Sequence, residues 1–118
     1  MNVNRGDIVL AYYPFASGAG SSRRPFLVVQ SDTQNRRIQN TIVVQITSNL
    51  KRVKEPTHLL IEVATPHGAQ SGLLHDSLVS CINLATIHEN RINKVIGSLA
   101  ASAMVKINDC LKAALDLS

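Results

Sequence analysis

Two arginines stand directly before a proline and an apolar run in "SSRRPFLVVQSD" (residues 21–32). A threonine and a serine close a second apolar run in "TIVVQITSN" (41–49), with Lys51, Arg52 and Lys54 just beyond. A guanidinium stays charged at every ordinary pH, and its planar fork fits two oxygens of a phosphodiester. The hydroxyls of Thr47 and Ser48 can donate to the same oxygens, and donors aimed at growing charge stabilise a phosphorane-like transition state. If the two runs are neighbouring strands, as consecutive strands usually are, Arg24, Thr47 and Ser48 face one pocket. The spacing alone also allows a plainer reading, in which Arg24 forms a surface ion pair and Thr47 and Ser48 simply end a strand.

Other chemistry is sparse. The chain has no nucleophile elbow, no Walker loop, no H-E-x-x-H and no dinucleotide fingerprint, and the glycines of "SGAGSS" do not open a helix after a strand. His58, His67, His75 and His88 fit no simple metal-ligand spacing, so neither a metal nor another cofactor is expected. Cys81 and Cys110 lie far apart in apolar surroundings and read as small buried hydrophobes. His58 reads as a structural residue at a strand start. His75 and Asp76 fall at a loop edge, where a role in proton transfer depends on geometry first. The basic loop "NLKRVKE" is either a solvated charge run or a track for a nucleic-acid backbone.

The elements that must position these groups are mostly strands. "DIVLAYY" (7–13), "PFLVVQS" (25–31), "TIVVQIT" (41–47), "HLLIEVA" (58–64), "LVSCINL" (78–84) and the weaker "KVIGSL" (94–99) are short apolar runs bounded by turn-forming residues. Strands this short predict a small barrel or sandwich, because one twisted sheet must close or pack to hide its apolar face. Residues 16–22, 32–40 and 49–57 read as loops. From Ser102, read as an N-cap, Met104, Ile107, Leu111 and Leu115 recur at helical spacing and predict a terminal helix whose stripe packs on the barrel or on a partner. At 118 residues the chain reads as one domain spanning 1–118. Its 45% hydrophobic and 17% charged residues, with no apolar run near membrane-helix length, point to a globular cytoplasmic protein and away from membranes. Twelve Lys and Arg against eight Asp and Glu, a net charge of +4, favour an anionic partner.

"RGDIVLAYYPF", "RRPFLVVQSD", "TIVVQITS", "PTHLLIE", "SGLLHDSLV" and "ATIHENRINKVIGSL" resemble, in order and spacing, the MazF/PemK family of toxin endoribonucleases. The resemblance runs from about Arg5 into the terminal helix. It implies a small SH3-like barrel of the CcdB/MazF type with a C-terminal α-helix, a homodimer, and metal-independent, sequence-specific cleavage of single-stranded RNA. Cleavage would proceed by 2′-OH attack to a 2′,3′-cyclic phosphate, a route that also separates RNA from DNA. It implies catalytic roles for Arg24 and Thr47, and a cognate antitoxin that holds the toxin inactive. Arg23, Ser48, Lys51, Arg52 and Asp76 are the further candidates for contacts to RNA, Arg23 on proximity alone. Where some members carry an acidic residue and an arginine before T-I, this chain has Ile82 and Ala85, so its proton donor and acceptor stay open, with Asp76 and the histidines as the nearby titratable groups.

Two other functions remain at this point. A CcdB-like gyrase poison shares the barrel and acts through the chain terminus, but "LKAALDLS" offers no aromatic anchor. An inactive barrel that only binds RNA or an antitoxin would fit Ile82 and Ala85.

Overall fold

A computed structural model describes residues 2–12 and 22–118. Tyr13, Phe15 and most of the expected 16–22 loop lie outside them. Six strands, β1 (Asp7–Tyr12), β2 (Arg23–Val28), β3 (Asn40–Thr47), β4 (His58–Ile61), β5 (Ser77–His88) and β6 (Ile92–Ser98), form one antiparallel sheet in the order β4-β5-β3-β2-β1-β6. Helix α1 (Asp32–Arg37) follows β2, α2 (Pro66–Ser71) follows β4, and α3 (Ala101–Leu115) ends the chain.

β1, β2 and β3 carry apolar runs where both faces of the sheet are covered, while β6 and the second half of β5 are largely exposed. Ile8, Leu27 and Val44 are registered across β1, β2 and β3 and share one core cluster with Ile46, Val79 and the α3 residues Met104, Ile107 and Cys110. Their chain neighbours Val9, Val28 and Val43 point the other way and join Phe26, Ile87 and Val3 in a second cluster. Ile107 is wholly buried, and truncating such a side chain to alanine costs about 2–5 kcal/mol.

Several expectations are corrected. Residues 32–40 are not all loop: Ser31 caps α1, its Oγ accepting from the Gln34 N–H, with Asp32 in the first turn and Arg36 and Arg37 in the last. β2 begins at Arg23, so both arginines belong to the strand rather than to the loop before it. β4 ends at Ile61, while Thr65 caps α2, with Pro66 opening it and Gly72 closing it at φ 73°. The cap of α3 is Ala100 and not Ser102, and Leu115 is 50% exposed while Ala114 takes the packing position.

Three local irregularities and close contacts complete the fold. Between the pairs Val44↔Leu84 and Gln45↔Ser80, β5 carries Cys81, Ile82 and Asn83 with no β3 residue opposite, a three-residue bulge. The C-terminal end of α2 lies against β6 so closely that a Cβ on Gly97 would strike the Ser71 carbonyl and one on Gly72 the Ile96 carbonyl. The Cys81 thiol sits beside Cys110 in the first core, and burial first, then its neighbour, pushes it up to about 12.

Candidate active site

β2 and β3 are neighbours, pairing from Phe26↔Gln45 to Val28↔Val43. Pro25 precedes the first of these pairs and fixes the backbone at the mouth of the strand. The Arg24 side chain is therefore carried at the rim of the sheet, and Thr47 and Ser48 lie where β3 ends beside it. All three line one open cavity of about 470 Å³. Leu10, Pro25 and Ile46 contribute its apolar part, Lys94 of β6 enters opposite Leu10, and the turn after α2 supplies Leu73, Leu74 and His75.

The cavity is electropositive. Arg24 and Lys94 make no hydrogen bond or ion pair with any described residue, and no carboxylate lines the space. Thr47 Oγ1 accepts from the Asn49 N–H at 3.1 Å, which leaves its hydroxyl hydrogen to donate elsewhere. Ser77 Oγ donates to the His75 carbonyl at 2.8 Å and steadies the turn that carries the imidazole. Two cations, three hydroxyls and a histidine around one water-accessible space make a receptor for a phosphodiester.

The other sequence candidates are distributed differently. Strand alternation turns Arg23 away from Arg24, and its Nη1 donates to Asn93 Oδ1 at 2.8 Å. Asp76 Oδ1 accepts from the Val63 N–H at 2.8 Å and lies outside the cavity lining. Lys51 and Arg52 line a second cavity of about 280 Å³ that shares Gln45 and Thr47 with the first, and Arg52 is paired there with Glu55 at 3.0 Å. His58 is buried in the same second cavity, with Nδ1 2.8 Å from Thr57 Oγ1. His88 Nδ1 accepts from the Asn90 N–H, capping a short 3-10 turn over Glu89–Arg91. Among the described residues no three His, Cys, Asp or Glu side chains gather as a metal site.

Residues 4–115 match the family model described as the PemK-like, MazF-like toxin of type II toxin–antitoxin systems. The chain belongs to that family. Endoribonuclease EndoA of Bacillus subtilis is 31% identical over 99% of this chain and 97% of its own length. Endoribonuclease MazF of Staphylococcus epidermidis is 28% identical over 98% of this chain and 93% of its own. Among solved structures, Mycobacterium tuberculosis toxin MazF-mt6 superposes with a TM-score of 0.77 at 25% identity, covering 95% of this chain and 98% of that one. A mycobacterial endoribonuclease in complex with its cognate antitoxin has the same TM-score at 23% identity, over 98% and 97% of the two chains.

The expected MazF-type fold, mainly β with a C-terminal helix, is the one observed. Within this MazF-like site, sequence reasoning passed over Lys94, Gln45, Ser77 and Asn83. Lys94 reaches the cavity only because β6 returns to pair with β1, a contact between the two ends of the chain that no local pattern announces. Ser77 stands beside "HD" and was within reach of the same motif reading that singled out Asp76. Of the two apolar replacements, Ile82 is 45% exposed on the bulge and Ala85 packs against the second core.

Proposed function

We propose that this chain is the toxin of a toxin–antitoxin pair and cleaves single-stranded RNA at the cavity between Arg24 and Thr47. The observation that carries the reading is a guanidinium with no partner among the described residues, beside the hydroxyls of Thr47 and Ser48 in a cavity free of carboxylates, on a chain of the MazF family. Arg24 holds the non-bridging oxygens of the scissile phosphate, Thr47 donates to one of them, and Lys94 adds charge stabilisation. The neighbouring ribose O2′ attacks phosphorus as the P–O5′ bond breaks, giving a 2′,3′-cyclic phosphate and a free 5′-hydroxyl. One proton leaves O2′ and one is delivered to O5′. Asp76 is committed to Val63, and His75 lines the cavity, so one of the two transfers is assigned to His75 and the other to solvent water in the open cavity.

The relatives named as endoribonucleases and the neighbour solved with its antitoxin support this reading. The reading includes a homodimer, for which Val105, Leu115 and Leu117 offer exposed apolar surface on and after α3. The antitoxin covers the cationic cavity with an extended or helical segment. RNA as substrate places the protein in the cytoplasm, and no helix of the described residues is long and apolar enough to cross a membrane.

The test is incubation of purified protein with a labelled single-stranded RNA in the presence of EDTA, followed by mass spectrometry of the 5′ product. A terminal cyclic phosphate is expected, and its loss with Arg24→Ala in a folded variant. Intact RNA with the wild-type protein, or undiminished cutting by that variant, overturns the reading.

A further inference from the structure

One apolar side chain on the wall of the Arg24 cavity has no part in the core. Leu74 is 86% exposed, against 62% for Val105, the next most exposed large hydrophobic among the described residues, and it lines that cavity. The turn that carries it is pinned on both sides. Before it, Gly72 takes a left-handed φ of 73° against the Ile96 carbonyl, Leu73 packs inward on the first core, and the Leu73 N–H donates to the buried Ser71 Oγ at 3.1 Å. After it, Ser77 Oγ donates to the His75 carbonyl and Asp76 Oδ1 accepts from the Val63 N–H, each at 2.8 Å. A turn fixed in this way, with Leu73 committed inward, holds Leu74 out beside the phosphate receptor.

The reaction supplies a use for such a group. Attack of O2′ on phosphorus needs the attacking and leaving oxygens close to one line through phosphorus. A stacked single strand holds the flanking nucleotides in a helical geometry that keeps O2′ out of that line, so the strand must be opened at the scissile step. Proteins open stacked steps with apolar wedges, leucine among them, which replace the lost contact between bases. Aromatic side chains can serve the same end by stacking, but of the aromatic residues described, Phe26 is buried, and neither it nor Tyr12 lines the cavity.

We propose that Leu74 is the wedge that parts the nucleotides on either side of the scissile phosphate and so brings O2′ into line for attack. This rests on the endoribonuclease reading of the cavity. The isobutyl group enters between the flanking bases while Arg24 and Lys94 hold the backbone, and His75, the next residue along the turn, meets the opened step. Leu74 reads no base edge. Its contact is with base faces, which every base has, so it sets the geometry of the substrate and not its sequence. It supplies no proton and no charge, and its effect lies in the population of strands already bent for in-line attack.

The experiment uses a single-stranded RNA with one site that the full-length wild-type protein cuts, carrying 2-aminopurine on one side or the other of the scissile phosphate in separate strands. The fluorescence of 2-aminopurine rises when the base leaves its stack. A 2′-deoxy sugar at the attacking position blocks cleavage for the binding measurement, and the same strands with the 2′-OH give single-turnover rates. Wild type, Leu74→Ala and Leu74→Met are compared; the side chain is exposed, so the core is untouched. Binding of wild type and of Leu74→Met is expected to raise the fluorescence. Leu74→Ala is expected to bind with little loss of affinity, to leave the signal near that of free RNA, and to cut the same site on the order of 10- to 100-fold more slowly. If Leu74→Ala opens and cuts the RNA as the wild type does, or if the wild type cuts without raising the signal, the wedge is overturned while the endoribonuclease reading stands, and Leu74 is left to a protein contact. If the wild type cuts no RNA, both fall together.

Discussion

The guanidinium of Arg23 donates to Asn93 Oδ1 at 2.8 Å, and so the first of two consecutive arginines bridges β2 to the β6 end of the sheet. Its neighbour Arg24 lines the cavity and makes no hydrogen bond or ion pair with any described residue. Two residues that look equivalent in the sequence are thus separated into a cation tied within the sheet and one turned to the cavity.

Arg24→Ala is expected to lower kcat for RNA cleavage by about 10²–10³, the usual loss on removing one donor to a charged transition state. Arg24→Lys restores only part of this, because an ammonium replaces the two-pronged fork by a point charge. Arg23→Ala is expected to leave kcat within about threefold and to lower the melting temperature slightly. Initial rates on one fluorescent RNA, with melting curves of the three variants, decide the matter.

His75→Gln is expected to reduce kcat by about 10²–10⁴. The charged groups that share the cavity lining with His75 are Arg24 from β2 and Lys94 from β6. Substrate affinity should change little. Single-turnover rates on one labelled RNA measure the loss, and a variant that cuts within about threefold of the wild-type rate would reassign the proton transfer.

Asp32 gives a separate, acid-sensitive contribution to stability. The Arg5 backbone N–H, 2.7 Å from Oδ1, is the main reason its carboxyl titrates below the ordinary range; Asn35 and the charges of Arg36 and Arg5 add to this against partial desolvation. A carboxyl with a lowered folded-state pKa stabilises above its unfolded pKa, near 4, and loses that contribution as pH falls through the folded value. Asp32→Asn should therefore be less stable than wild type at pH 7 and nearly equal to it at pH 2–3. Urea denaturation at the two pH values measures the gap, which is small because the group is exposed.

Gly97→Ala should be costly although it adds only a methyl group. The new Cβ would meet the Ser71 carbonyl at the end of α2, and the turn that carries Leu74 and His75 continues directly from there. A loss of about 1–3 kcal/mol is expected, the range for overpacking a fitted contact. Cleavage activity should fall with it, measured below the melting temperature so that unfolding does not account for the loss.

The central strands were legible because β1, β2 and β3 carry runs of β-branched and aliphatic residues, which a sheet covered on both faces demands there. α1 and α2 were not, since six residues give too little periodicity to show a helical face. Their caps were nevertheless written out, as Ser31-Asp32 in one case and Thr65-Pro66 with Gly72 in the other. Arg24 and Thr47 could be paired from the sequence because consecutive strands tend to be neighbours. Lys94 and Asn83 could not: one depends on β6 crossing back to β1, the other on a bulge that no residue pattern marks.

That bulge bears on how such a protein can change. Leu84–His88 and Leu78–Ser80 are each tied to β3 by their own stretch of ladder, while Cys81–Asn83 lie between the two anchors. Residues 82 and 83 are exposed and can be exchanged, or lengthened by grafting, with the anchors on both sides left in register. For a library designer it is the segment to randomise first, because variation there leaves the two anchored ladders, and Arg24 and Thr47 on other strands, untouched.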